Sequence, residues 1–404
     1  MDIKEAEPGG ATQPGETGGL PFDSARLDAL LDAAGIDVLV VSSKHNIQYL
    51  LGGYRFFFFD HFDAIGLSRY LPLLVYVRGK PDDAAYFGNP MEGYEEALGK
   101  FWTPRFEKGW GSVPVTEQAA AFITRLGKQR GRIGVERAFL PADAEEALRR
   151  ALPEAGIVDA VVPLERLRAI KTPQELDLLR TASDRVVEAM LAVMTGHGPG
   201  STKLELTEAL RREEVQRGLT FEYCLITAGT STNRAPSDQV WGEGDILSLD
   251  SGGNYKGYIG DLCRMAIQGE PDSELVDLLA EIEAIQQAAR TPIRAGARGG
   301  DIFAAAEPLV RQSSHGNTLD FVAHGMGLIS HEAPRLTSNG PVPYPGDDAD
   351  RPLAAGMVLS IETTLAHPRR GFIKLEDTVA VTEDGWEAFG DGARGWNRGG
   401  TAVG

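Results

Sequence analysis

The 404-residue sequence predicts two domains, an α/β domain followed by an α+β domain. Three observations carry this reading. The length exceeds one ordinary core at roughly 150 residues per domain. Residues 21 to 165 alternate short helical patterns with β-branched runs, the texture of an α/β layer. From residue 166 onward, long helical patterns separate strand pairs whose interiors hold carboxylates and a histidine.

Residues 1 to 20, rich in Gly, Pro, Glu and Thr, are expected to form a disordered tail. SARLDALLDAAG has helical spacing and a glycine stop, and IDVLVVSS reads as a short buried strand. LPLLVYVRG and DAAYFGN read as a hairpin-like pair, with RIGVE as a further strand. Around LERLRAIKTPQELDLLRTASD the pattern becomes one of long helix, with Pro173 and Glu175 suited to a first turn. Helices are expected over residues 173–194, 202–217 and 272–290. ILSLDSGGNYKGYIGDLCRMAI reads as a hairpin-like pair, and GMVLSIETTL and GFIKLEDTVAVT as two more strands.

Bulk properties narrow the function. A formal net charge of −18 argues against a broad nucleic-acid footprint. No apolar run is long enough for a membrane span, and the first residues lack the basic start and apolar core of a secretory signal. Two cysteines, Cys224 and Cys263, make no disulfide framework, so a cytoplasmic setting is expected.

The chemistry lies in the second half. Asp250, Asp261, Glu362 and Glu376 sit within segments that otherwise read as buried strands. Carboxylates are rarely buried unless paired or bound to metal, and Lys374 and Arg264 neutralise two at most. His324 and His331 share AHGMGLISHEAP, where Gly325 and Gly327 are expected to let the backbone approach something bound. A donor set dominated by carboxylates favours Mn, Fe, Co or Zn over a thiolate-type site.

The order DSGGNYKGYIGD, HGMGLISHE, SIE and KLED, with two aspartates eleven positions apart (250 to 261), resembles the pita-bread metallohydrolases. That family includes methionine aminopeptidase, aminopeptidase P, prolidase and creatinase. KHNIQYLLGGY and RAIKTPQEL resemble the creatinase and prolidase branch. The resemblance implies a C-terminal pita-bread catalytic domain over 166–404, preceded by a smaller creatinase-type α/β domain over 21–165. It implies Asp250, Asp261, His324, Glu362 and Glu376 as ligands of two divalent ions, Mn first, with Co, Fe or Zn as alternatives. It further implies hydrolysis of a C–N amide bond, most simply in an Xaa-Pro dipeptide. Glu362 is then the proton shuttle and His331 the donor to the tetrahedral oxyanion.

Three positions depart from the peptidase pattern. Asn233 stands seventeen residues before Asp250, where peptidases carry histidine; Lys374 replaces an arginine; and ETT at 362–364 replaces EPG. Arg234 is a candidate to hold a substrate carboxylate. Creatinase, ectoine hydrolase and a dimethylsulfoniopropionate lyase share the family, so a small non-peptide metabolite is the alternative substrate. By resemblance to creatinase-like homodimers, Tyr54, Arg55, Phe57, Phe59 and His61 are candidates to line the partner's pocket, as His367 is from within the catalytic domain.

Overall fold

The computed structural model describes residues 19–338 and 346–400, so residues 1–18 of the expected tail lie outside it. The chain divides into two compact units, the first ending at Leu167 and the second beginning at Arg168.

The first unit is built on a six-stranded sheet of β1 (Val38–Val41), β2 (Leu73–Val77), β3 (Lys80–Gly88), β4 (Arg105–Lys108), β5 (Arg132–Val135) and β6 (Gly156–Asp159). Its spatial order is β4-β3-β2-β1-β5-β6. β2 and β3 form the expected antiparallel hairpin, whereas β5 and β6 run parallel to β1. The helix Ser24–Ala33 opens where the Asp23 side chain accepts from the Arg26 amide, and it buries Leu27 and Leu31.

The second unit holds an eight-stranded sheet. Its path runs β10 (Leu319–Gly325), β11 (Val358–His367), β12 (Gly371–Val381), β9 (Tyr258–Ile267), β8 (Ile246–Tyr255), β7 (Thr220–Ala228). Short strands β13 (Trp386–Phe389) and β14 (Asn397–Arg398) add to β12 and β9. The helical pattern near residue 165 comprises two helices, the second beginning at Pro173 as expected. Val161–Arg168 stops, Lys171 donates its amide to the Gly356 carbonyl, and Thr172 then caps Pro173–Gly196 through a reciprocal capping box with Glu175. The other expected helices occupy Lys203–Gln216 and Ser273–Arg290. The strands β7 and β10 and the helix Asp301–Gln312 were not anticipated from the sequence.

Strand periodicity sorts the second unit's sheet into two faces. Leu247 and Leu249 of β8 join a hydrophobic cluster with Val186, Met190 and Leu210 of the helices. Ala323, Leu359, Ile361, Ile373 and Leu375 join another with Leu278, Ile282 and Ile285. The intervening residues point to the opposite face, and these are Asp250, His324, Glu362, Lys374 and Glu376. Burying one face of each strand therefore gathers the chemistry on the other.

Candidate metal centre

Cross-strand register brings the ligands together. Glu362 is directly opposite Glu376, His324 is opposite Ser360, and Cys263 pairs with both Asp250 and Glu376. Three overlapping groups result: Asp250, Asp261 and Glu376; His324, Glu362 and Glu376; and Asp261, His324 and His331. Within each, one ligand atom per residue lies within 4.8 Å of the others. Asp250, Asp261, His324 and Glu376 are buried, while the Glu362 side chain keeps 17% of its surface exposed.

The electrostatics are those of a site short of positive charge. Burial raises the Asp250 carboxyl above its ordinary value and the Glu376 charge adds to this, against the opposing pull of Lys374 and Arg234. Asp261 is raised well above the carboxylate range by burial, then by Glu376 and Asp250. The Nε2 of His324 is buried and has no hydrogen-bond partner among the described residues, yet it lies 3.8 Å from Glu362 Oε1 and 4.0 Å from Glu376 Oε1. An unpartnered imidazole nitrogen facing two carboxylate oxygens suits a divalent cation, which would satisfy all three. The donor set of one nitrogen and four carboxylates accommodates a metal of the Mn, Fe, Co or Zn kind.

Lys374 is the cation at the centre. Its Nζ lies 2.7 Å from Asp250 Oδ2, 2.5 Å from Glu362 Oε2 and 2.8 Å from Glu376 Oε2. Burial opposes its charge, but the three carboxylates prevail and hold its pKa well above the ordinary lysine value. Arg264, the other expected neutraliser, lies elsewhere. It pairs with Asp377 and donates to backbone carbonyls of Cys263, Glu376, Gly390 and Gly392, because its strand position turns it towards the helices. The second cation on the cluster is Arg234, in contact with Asp250 Oδ2 and stacked 5.1 Å from the Phe372 ring. Arg234 is thus committed to a cluster carboxylate. Asn233 is exposed, and its side chain accepts from the Ala235 amide in a local turn.

The ring of His331 stacks on that of His324 with centroids 3.7 Å apart. One ring face is covered while the residue remains open to solvent. That partial burial, then the His324 and Lys374 charges, pushes its pKa down to about 3. Gly325 and Gly327 serve a purpose other than the expected approach of a bound group. A Cβ at Gly325 would lie 2.4 Å from the Ala333 carbonyl carbon, and one at Gly327 2.4 Å from Glu332 Oε1. The glycines admit the chain's own loop, whose Glu332 is buried between Arg168 at 2.8 Å and Lys171 at 3.2 Å.

Tyr223 escaped the sequence reading. Its hydroxyl donates to Asp261 Oδ1 at 2.6 Å, and it lies against Gly252, where a Cβ would meet the tyrosine ring at 2.4 Å. The first glycine of LDSGG, Gly252, is the available signal for it, and a glycine does not say which ring will cross it.

The aromatic stretch is not a strand. Phe57–His61 is a 3-10 helix followed by the helix Phe62–Ile65. Phe59 is 1% exposed, packed with Phe62 and Tyr70 in the first unit's own core, which corrects its assignment to a pocket wall. Tyr54 is tied to Glu92 through its hydroxyl and edge-packed on Phe101. Arg55 pairs with Asp60, whereas Phe57 and His61 face solvent. His367 lies at the far end of β11 from the cluster's register and accepts from the Arg369 and Arg370 amides, so its Nδ1 is already engaged.

This fold and site define a metal-dependent hydrolase. The description "Metallopeptidase family M24" matches residues 177–383 and "Creatinase/Prolidase N-terminal domain" matches residues 24–170. The chain belongs to the M24 metallopeptidase family, with a creatinase-type N-terminal domain ahead of the pita-bread catalytic domain. It is 23% identical over 366 residues to an uncharacterized peptidase, YqhT, of Bacillus subtilis, covering 89% of this chain and 95% of that one. It is 32% identical over 231 residues to a probable dipeptidase, PepE, of Mycobacterium tuberculosis, where the match spans 55% of this chain and 58% of that protein. An Xaa-Pro dipeptidase structure from Bacillus anthracis matches with a TM-score of 0.78 at 22% identity, covering 93% of this chain and 98% of that one.

Proposed function

We propose that the protein hydrolyses the amide bond of Xaa-Pro dipeptides at a metal centre held by Asp250, Asp261, His324, Glu362 and Glu376. The observation that carries this reading is the convergence of those five side chains, with the His324 Nε2 unpartnered and facing Glu362 and Glu376. Relatives named as dipeptidases support the peptide substrate.

Asp250, Asp261, His324, Glu362 and Glu376 would hold a divalent ion, Mn foremost, which would supply Lewis acidity for a carbonyl oxygen and lower the pKa of a water. The chain's own groups then divide the remaining work. Glu362, the most accessible cluster carboxylate, takes the proton from the attacking water and returns it to the departing amine. His331 is neutral at working pH, and Ser330 Oγ lies 3.2 Å from its Nδ1. A serine hydroxyl donating there leaves Nε2–H free to donate to the carbonyl oxygen as negative charge develops on it. Tyr223 orients Asp261.

The departure at Asn233 favours a second reading, a small non-peptide metabolite as substrate, since an exposed turn asparagine supplies no titrating imidazole there. Homodimerisation, with solvent-facing Phe57 and His61 reaching a partner's site, belongs to the same proposal. Two buried free thiols support a reducing compartment. The test is product analysis by chromatography on Ala-Pro, Gly-Pro, Ala-Ala, creatine and ectoine. Selective cleavage of the proline dipeptides supports the first reading, and turnover of a metabolite alone replaces it with the second.

A further inference from the structure

The second unit's sheet is two ladders joined at a seam. β8 pairs with β9 in register from end to end, and β11 pairs with β12 over nearly all of its length. Between β9 and β12, among the described residues, only Cys263 opposite Glu376 stands in register. The five candidate ligands straddle that seam. Asp250 and Asp261 belong to β8 and β9, whereas His324, Glu362 and Glu376 belong to β10, β11 and β12. The spacing between the two groups is therefore set where the ladder supports it least.

One side chain crosses the seam on the face away from the ligands. Arg264 and Asp377 each follow a member of the registered pair, so strand alternation turns both to that other face. Arg264 is 0% exposed. Its Nη1 donates to both carbonyls of the registered pair, Cys263 at 2.8 Å and Glu376 at 2.7 Å. Its Nη2 lies 3.0 Å from Asp377 Oδ1 and donates to the Gly390 carbonyl at 2.6 Å, while Nε donates to that of Gly392 at 2.7 Å. A planar fork with every arm engaged fixes main-chain atoms on both strands. Lys374 also crosses the seam, to Asp250 at 2.7 Å, but it does so side chain to side chain on a flexible stem.

The charges behind the sheet are self-contained. Arg264, Arg290 and Arg394 face Asp377, Asp391 and Glu283, three cations against three anions. The network is neutral, so what it does to the ligands passes through strand geometry.

We propose that Arg264, seated on Asp377, is a positioning residue for the candidate metal centre. It pins the main chains of β9 and β12 at Cys263 and Glu376, and so fixes the spacing of Asp250 and Asp261 from His324, Glu362 and Glu376 before an ion binds. This rests on the metal-centre reading above.

The experiment reads metal binding and not turnover. Chelator-stripped full-length protein is titrated with MnCl2 by calorimetry, beside two variants whose urea midpoints are also measured. Arg264→Lys keeps the charge and loses the fork. Arg290→Lys disturbs the same Asp377 network without touching the Cys263 or Glu376 carbonyls. Arg264→Lys is expected to weaken Mn binding about tenfold or more, and to change the shape of the visible absorption when Co(II) is loaded instead. Arg290→Lys is expected to lower the urea midpoint while keeping the wild-type affinity and spectrum. Wild-type affinity in Arg264→Lys overturns the proposal, and so does equal weakening in both variants, which would mark general destabilisation. Should either variant fail to fold, hydrogen exchange on the wild type decides. Peptides covering residues 258–267 and 371–381 are expected to take up deuterium equally with and without Mn. Uptake that rises on stripping overturns the proposal, because the ion would then be what closes the seam. A wild type that binds no Mn overturns the metal-centre reading along with this one. Mn binding that Arg264→Lys leaves unchanged overturns this one alone.

Discussion

Tyr223 donates its hydroxyl to Asp261 Oδ1 across the intervening strand β8, over the bare backbone of Gly252. The tyrosine pairs in register with Gly252, which itself pairs with Asp261, so three neighbouring strands place a donor on a ligand with no side chain between them. The hydroxyl's pKa is raised well above its usual value, first by burial and then by the surrounding carboxylates, so it remains a donor. Tyr223→Phe removes this orientation and is expected to weaken Mn binding about 10- to 100-fold with the fold intact. Calorimetric titration checks it, and unchanged affinity would show that Asp261 is held without help.

His331 is argued to act on developing charge while leaving the metal in place. His331→Ala should lower kcat by about 10²- to 10³-fold with little change in KM or in metal retained. Loss of metal from the variant would instead make it a ligand, as its place beside Asp261 and His324 permits.

The pH dependence of stability is expected to trace to Glu214. Burial, and then the Glu222 charge, raise its carboxyl to about 8 against the opposing hydrogen bond from Ser251. In the unfolded chain it releases its proton near the model-peptide value of about 4.3. Its folded pKa is the higher one, so its stabilisation is full below about pH 4 and is lost as pH rises to about 8. Between pH 5 and 8 the wild type should lose on the order of 1–3 kcal/mol that Glu214→Gln does not lose. Urea midpoints at the two pH values decide this, and parallel declines would remove Glu214 as the cause.

Glu332 anchors the loop that presents His331, through buried contacts to Arg168 and Lys171. Glu332→Ala strands two buried cations and should cost about 3–5 kcal/mol. A denaturation midpoint close to that of the wild type would contradict this.

Some of this was legible in the sequence, and the reason is specific. Asp250, Glu362 and Glu376 sit within segments that otherwise read as buried strands, and a charge in such a segment must be matched by something. His324 was legible as a histidine within AHGMG, but its strand β10, which carries it to the same face, was not. The partners of those residues were not legible. Arg264 and Lys374 both looked available as neutralisers, but strand face sends one to Asp377 and the other into the cluster. Arg234, Tyr223 and Glu214 reach their partners over 16, 38 and 37 residues, through pairings that only the assembled sheet and helices define. Four successive phenylalanines gave no usable period, and the 3-10 turn that sends Phe59 inward and Phe57 outward follows from local packing.

The central claim is that the five-residue cluster is a metal site that drives amide hydrolysis. The measurement is Gly-Pro cleavage by chelator-stripped protein before and after Mn is restored, with Asp261→Ala treated in parallel. The account predicts activity that vanishes on stripping, returns with Mn, and never appears in the variant. Cleavage that persists in the stripped protein, or in Asp261→Ala at the wild-type rate, would contradict it.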